Sequence, residues 1–175
     1  MSQNKLIFLS GSLRNPKIPL IGNKLRAAGF DVYDDWHAAG DRADDEWKRY
    51  EQARGRTYVE ALGGEAAEHV FEFDLIHLDM AHIGVLVLPA GKSGFLELGY
   101  MMGQGKPGYI LLDDTVDVRW DVMVKFAYHV SYSMEDLIAA ISEDCKRGGD
   151  SSEPDKSEAS CRNCWCFCHR HYRRV

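Results

Sequence analysis

The sequence has 175 residues, a formal net charge of -6, 45% hydrophobic residues and 27% charged residues. These values are typical of one soluble globular domain with a sizeable core and a flexible end. The negative charge argues against general attraction to nucleic acid polymers or anionic membranes, and no stretch has the length of a membrane span. Because the N-terminus enters a short strand directly, we expect no signal peptide and a cytoplasmic location.

A buried strand, a glycine loop and a helix open the chain. Continuous apolar character over residues 5–10 predicts a strand that is buried on both faces. The loop over residues 11–17 carries Pro16 near the start of a helix that extends to about residue 28, where Gly29 ends it.

A second strand is predicted over residues 30–33, and acids and a tryptophan follow it. Asp35 and Trp36 then lie at the carboxyl end of this strand, on the same rim as the first glycine loop. Trp36 either stacks on a base or covers a sugar, or it lies at a helix cap and at the edge of the core. Residues 41–63 are charged and aromatic with roughly helical spacing, which predicts a helix and loop over the pocket or part of a dimer surface.

A longer helix is predicted from Glu65 to Met80. Asp74 borders its apolar stripe, a position that suits an acid pointing into a crevice. The residues that recur at steps of three and four, and that we expect to be buried, are Ala66, His69, Val70, Phe73 and Ile76. In such a stripe His69 is interpreted as a core histidine.

The most informative stretch begins with an apolar run over residues 83–88. The run stops at a small-residue loop over residues 89–94, and an amphipathic segment with one acid, Glu97, follows. A second apolar run over residues 109–112 completes a strand, loop, helix and strand, and ligands of open α/β sheets bind at such loops. We expect Glu97 in the first turn of this helix, where the macrodipole favours an acid even without a functional role.

The remaining elements complete one α/β domain over residues 1–142. A short strand within residues 122–130 and a last helix over residues 134–141, capped by Ser133, are predicted. Strands that alternate with helices predict a doubly wound, Rossmann- or flavodoxin-like fold, with a parallel sheet of about five strands and helices on both faces.

The end of the chain is polar. Residues 143–160 predict a linker, and residues 161–175 form a tail rich in Cys, His and Arg whose role the sequence does not indicate. Because the Cys and His residues fall within eleven positions, rather than in two knuckles across a longer loop, we expect accidental metal binding and no designed zinc site. The sequence therefore predicts no metal site and no cofactor. A tail that binds metal or an acidic partner is the alternative.

Three motifs resemble those of one enzyme family. The strongest is Gly91-Lys-Ser-Gly-Phe-Leu-Glu-Leu-Gly-Tyr100, followed by Gly103-Gln-Gly-Lys-Pro107. It resembles the nucleoside 2-deoxyribosyltransferase family, including the 2'-deoxynucleoside 5'-phosphate N-hydrolase branch. Phe8-Leu-Ser-Gly-Ser-Leu-Arg14 is similar to the first-strand loop of the N-hydrolases, and Asp74 falls where the family keeps a helix Asp. The resemblance covers roughly residues 5–142.

The resemblance implies roles for particular residues. Glu97 is implied as the nucleophile, and Asp74 as the group that binds the base and delivers its proton. The substrate-binding residues that we predict are Ser10, Gly11, Ser12, Arg14, Asp35, Trp36, Gly91 and Ser93.

Two departures from the family pattern concern the substrate. The aromatic hydroxyl of the transferases on the first strand appears here as Phe8 or Leu9, and their second Asp before the nucleophile is replaced by Gly91-Lys92. Ser93, together with Ser12 and Arg14, favours a nucleotide over a free nucleoside.

The expected reaction is cleavage of the N-glycosidic bond of a (deoxy)nucleoside or its 5'-monophosphate. It would pass through a covalent intermediate on Glu97, with transfer to water or to another base. The partners implied are this small molecule and a second copy of the chain, in a homodimer or larger assembly. A non-catalytic nucleotide-binding or sensor module that keeps the same pocket is the alternative.

Overall fold

The computed structural model describes residues 4–112 and 120–148, so most of the predicted linker and the whole tail lie outside the described residues. None of the helices in this part of the chain is long and apolar enough to cross a membrane. Its strands and α-helices are β1 (Leu6–Ser10), α1 (Ile18–Ala27), β2 (Asp31–Tyr33), α2 (Ala43–Ala53), α3 (Tyr58–Leu62), α4 (Glu65–Met80), β3 (Ile83–Val87), α5 (Lys92–Gly103), β4 (Gly108–Leu111), β5 (His129–Ser131) and α6 (Met134–Gly148). Two 3-10 helices cover Asp35–Ala39 and Val122–Phe126.

One parallel sheet of five strands forms the centre, in the order β2-β1-β3-β4-β5. Helices pack on both faces, so the predicted doubly wound α/β fold is confirmed, and the strand order is the flavodoxin-like one. After β1 the chain moves outward to β2, and it then returns to the other side of β1 to form β3. The connections leave β1 and β3 in opposite directions, which opens a crevice between the carboxyl ends of these two strands. Open sheets of this kind bind ligands in that crevice.

The alternation of side chains along β1 decides what faces the crevice. Successive residues of a strand point to opposite sides of the sheet. Ile7 and Leu9 belong to the core that α1 and α6 cover, whereas Phe8 belongs to the core that includes Leu78 of α4 and Met101 of α5. Ser10 shares the side of Phe8 and therefore faces α4 and α5.

Glycines allow α5 to lie close to the sheet. A Cβ atom at Gly94 would lie 2.7 Å from Leu86 Cδ1 and 3.0 Å from Ser10 Oγ. On β3, a Cβ atom at Gly84 would lie 2.9 Å from Leu98 Cδ1. A side chain at either glycine would push α5 away from β1 and β3, so the glycines bring the acid of this helix to the end of β1.

The predicted buried stripe on α4 is wrong. Val70, Phe73 and Ile76 are 61%, 50% and 56% exposed, and Ala66 and His69 are exposed as well. The buried side chain of this helix is Leu78. Helical periodicity indicates an apolar face, but it does not say whether the core of the same chain covers that face.

The last helix is longer than predicted. It begins at Met134, where the Ser133 hydroxyl accepts a hydrogen bond from the backbone N–H of Asp136 at 3.1 Å. It continues to Gly148, so residues 143–148 are helical and do not belong to a linker. The physical reason is that Cys145 lies four residues, about one helical turn, after the core residue Ile141. Cys145 therefore packs against the same core and extends the helix.

We predict opposite stability effects for two Gly-to-Ala changes in α5. Gly94→Ala should lower the free energy of unfolding by about 1–3 kcal/mol, because the new methyl group overpacks a filled contact. Gly99→Ala should raise it by about 0.5–1 kcal/mol, because its Cβ would meet nothing within 4 Å and alanine favours a helix. Urea denaturation of both variants is the measurement, and equal stability of the two would contradict the close packing of α5.

Candidate active site

A cavity of about 780 Å³ opens at the crevice between β1 and β3. Its walls are the loop after β1, the first 3-10 helix, α2, α4 and the start of α5. Nine of the ten predicted site residues line it: Gly11, Ser12, Arg14, Asp35, Trp36, Asp74, Gly91, Ser93 and Glu97. The tenth, Ser10, contacts Glu97.

Ser10 holds the Glu97 carboxylate. The Ser10 side chain is buried, and its hydroxyl donates a hydrogen bond to Glu97 Oε2 at 2.5 Å. The predicted position of Glu97 in the first turn of the helix is wrong, because α5 begins at Lys92 and its first turn holds no acid. The macrodipole acts mainly on the first turn. The hydroxyl of Ser10 is therefore the group that favours the ionised form of Glu97.

Two of the carboxyl groups that line the cavity, those of Glu97 and Asp74, have raised pKa values. Burial raises the pKa of Glu97, the hydrogen bond from Ser10 opposes this increase, and the charge of Asp74 adds to it. Burial also raises the pKa of Asp74, and His77 opposes that increase. A carboxyl group that keeps its proton to higher pH than exposed acids do is suited to proton transfer, whereas a carboxyl group acts as a nucleophile in its ionised form, which the Ser10 hydrogen bond favours for Glu97.

Trp36 belongs to both the core edge and the cavity. Its ring N–H donates a hydrogen bond to the Leu9 carbonyl oxygen at 2.7 Å, which fixes the indole ring beside the end of β1. The ring also packs against the hydrophobic core. A ring held in this way offers a rigid apolar surface to a ligand in the cavity.

Tyr33 is a buried residue near the cavity that the sequence interpretation did not single out. It pairs with Phe8 across β1 and β2, and its ring stacks on His77 at 3.9 Å between centroids. Burial and the charges of Asp74 and Asp35 raise the pKa of Tyr33 to about 12. β2 thus supplies an aromatic hydroxyl that stays neutral, but Tyr33 is buried and does not belong to the residues that line the cavity, so it is a neighbour of the site rather than a ligand contact. The sequence feature that could have drawn attention to Tyr33 is its position directly before Asp34 and Asp35.

Other lining residues were not predicted as site residues. Trp47 comes from the charged and aromatic segment that was expected to lie over the pocket, and Phe73 directly precedes Asp74. His69 also lines the cavity, so its interpretation as a core histidine is wrong. Over residues 4–112 and 120–148, no three His, Cys, Asp or Glu side chains lie close enough together to hold a metal ion.

Comparison with known proteins shows which fold this chain shares with a solved structure. No protein-family model and no curated protein matches the sequence. Among solved structures, the chain is similar to a 2-deoxyribosyltransferase from Bacillus psychrosaccharolyticus, with 16% identity and a TM-score of 0.50 over 76% of this chain and 90% of the transferase. The two proteins share a fold. A similarity to the CMP N-glycosidase BcmB of Clostridium botulinum has 10% identity and a TM-score of 0.47, over 79% of this chain and 99% of that one.

We predict opposite pKa changes of Glu97 in two variants. Ser10→Ala should raise the pKa of Glu97 further, because it removes the hydrogen bond that favours the carboxylate. Asp74→Asn should lower it, because it removes a like charge. Titration of the Glu97 side-chain carboxyl carbon by NMR measures both changes, with Ser12→Ala as the control. A change of the same sign in both variants would contradict the assigned causes.

Proposed function

We propose that this protein cleaves the N-glycosidic bond of a (deoxy)nucleoside or its 5'-monophosphate, with transfer of the sugar to water or to another base. The observation that carries the proposal is the hydrogen bond from Ser10 to Glu97 in a cavity that Asp74 also lines. The motif resemblance and the fold shared with a 2-deoxyribosyltransferase support the same reaction.

In the first step Glu97 attacks the sugar. Because Oε2 accepts the hydrogen bond from Ser10, we assign the attack on the anomeric carbon to Oε1. A bond forms between this oxygen and the anomeric carbon, and the bond to the base nitrogen breaks with its electron pair leaving on the base. Asp74 donates a proton to the departing base, a role that its raised pKa suits.

In the second step an acceptor releases the sugar from Glu97. The acceptor is water or a second base, and it attacks the anomeric carbon from the opposite face. The ionised Asp74 takes the proton of the acceptor, and the Glu97 carboxylate leaves. Two displacements at the same carbon retain its configuration. Ser12, Arg14 and Ser93 would bind a 5'-phosphate through charge-assisted hydrogen bonds.

We expect large losses of activity when either acid is changed. Glu97→Ala should lower kcat/KM by about 10³-fold or more, as removal of a nucleophile does. Asp74→Asn should lower it by about 10²–10⁴-fold, the range of general acid catalysis. Chromatography of released base from deoxynucleosides and their 5'-monophosphates, each with and without a second base, measures both losses.

The control is Glu72→Gln, which changes an exposed acid on the same helix as Asp74 and should leave kcat/KM unchanged. Base released into water identifies a hydrolase, and a new nucleoside identifies a transferase. Tight nucleotide binding without turnover, unchanged in Glu97→Ala, would instead support the non-catalytic binding module.

We also propose a homodimer or larger assembly, supported by the exposed face of α4. Its large apolar side chains are 50–62% exposed, and they are Val70, Phe71, Phe73, Ile76 and Met80. Contiguous apolar surface of this kind is characteristic of interaction sites. Val70 and Phe73 also line the cavity, so a second copy that covers α4 would narrow the cavity opening.

A charge placed on this face should separate the subunits. Ile76→Glu should give a monomer, because a buried unpaired carboxylate is strongly unfavourable in an apolar interface. Light scattering coupled to size-exclusion chromatography measures the mass, and Glu68→Gln on the exposed part of the same helix is the control. A monomeric unmodified protein would refute the assembly.

A further inference from the structure

The cavity of the proposed active site is rich in acids. Five carboxyl groups line it: Asp35, Asp41, Asp44, Asp74 and Glu97. Among the described residues, Arg14 is the sole Lys or Arg that lines the same cavity. A wall of this charge repels an anionic ligand. Whether the cavity accepts a phosphate group therefore depends on Arg14.

Arg14 is paired with an acid from α2. Its Nη2 atom lies 3.1 Å from Asp45 Oδ2, and the two side chains are 68% and 53% exposed. Arg14 belongs to the loop after β1, and Asp45 lies 31 residues further along the chain. The ion pair thus connects two walls of the cavity and neutralises the cation that a phosphate would use.

In this loop the side-chain guanidinium, and not the backbone N–H, is the group of Arg14 that can bind an anion. Ser12 Oγ accepts a hydrogen bond from the backbone N–H of Arg14 at 3.2 Å. The Ser12 carbonyl oxygen accepts a second one from the N–H of Asn15 at 2.9 Å. These bonds shape the turn, so that the side chain of Arg14, rather than its N–H, has to supply the charge-assisted contact to a phosphate.

We infer that Asp45 is a specificity-determining residue that disfavours a 5'-phosphate relative to a 5'-hydroxyl group. The inference rests on the proposed function, which defines the ligand as a nucleoside or its 5'-monophosphate. A phosphate that binds Arg14 competes with Asp45 for the guanidinium and approaches the Asp45 carboxylate as a like charge. A 5'-hydroxyl group is neutral and meets neither effect. Because exposed ion pairs are weak, the effect is a change of several-fold rather than of orders of magnitude.

The matched variants are Asp45→Asn and Glu46→Gln, which each remove one negative charge from α2. Glu46 lies at 3.3 Å from both Arg42 and Arg49 and is 58% exposed, so it resembles Asp45 in exposure but has other partners. Calorimetry with the full chain measures the Kd of 2-deoxyribose 5-phosphate and of 2-deoxyribose. The ratio of kcat/KM for a deoxynucleoside 5'-monophosphate and its nucleoside is the second readout.

Asp45→Asn should strengthen binding of the sugar phosphate roughly three- to tenfold and leave binding of the neutral sugar within about twofold. Glu46→Gln should leave both within about twofold. Equal gains in the two variants, no gain in Asp45→Asn, or no binding of the sugar phosphate by any of the three proteins would overturn the inference. Because binding is measured without turnover, failure of the unmodified protein to release a base refutes the proposed function and leaves this test valid.

Discussion

The hydrogen bond between Ser10 and Glu97 is the interaction around which the site is organised. It forms because Ser10 lies on the α5 side of β1 and because Gly94 lets α5 approach that strand. The same burial that creates this contact raises the pKa of Glu97 above its value in the unfolded chain. The contribution of Glu97 to the free energy of unfolding is therefore complete at a pH below its pKa in the unfolded chain. It is lost as the pH rises through its pKa in the folded protein. Keeping Glu97 ionised therefore lowers the stability of the fold, a cost that is common at functional sites.

The fold and the clustering of the site residues could be predicted from local patterns. Continuous apolar runs with small-residue loops predicted the strands, and their alternation with helices predicted a parallel sheet. In such a sheet the carboxyl ends of all strands meet at one edge. The loops at Gly11 and Gly91 and the turn at Trp36 are therefore close in space, although the sequence separates them widely.

The parts that could not be predicted depend on contacts that no local pattern encodes. The apolar face of α4 was interpreted as core because periodicity is the same for a covered and an uncovered face. The turn of α5 that holds Glu97 depends on where the helix begins, at Lys92. Asp45 shows no local sign of its partner, because Arg14 belongs to a different element. The pKa shifts depend on burial, which is known once the tertiary structure is known.

The parallel sheet also determines when a ligand site exists during folding. β1 pairs with β3 through Ile7 and Ile83, so β1 has to wait for a segment far along the chain before this pairing forms. Pairings of this kind are slow because the loop must close before any contact forms. On the ribosome, β1 emerges long before β3, and Ser10 then has no Glu97 to bind. A site that needs both Ser10 and Glu97 therefore cannot form before the two halves of the sheet have joined.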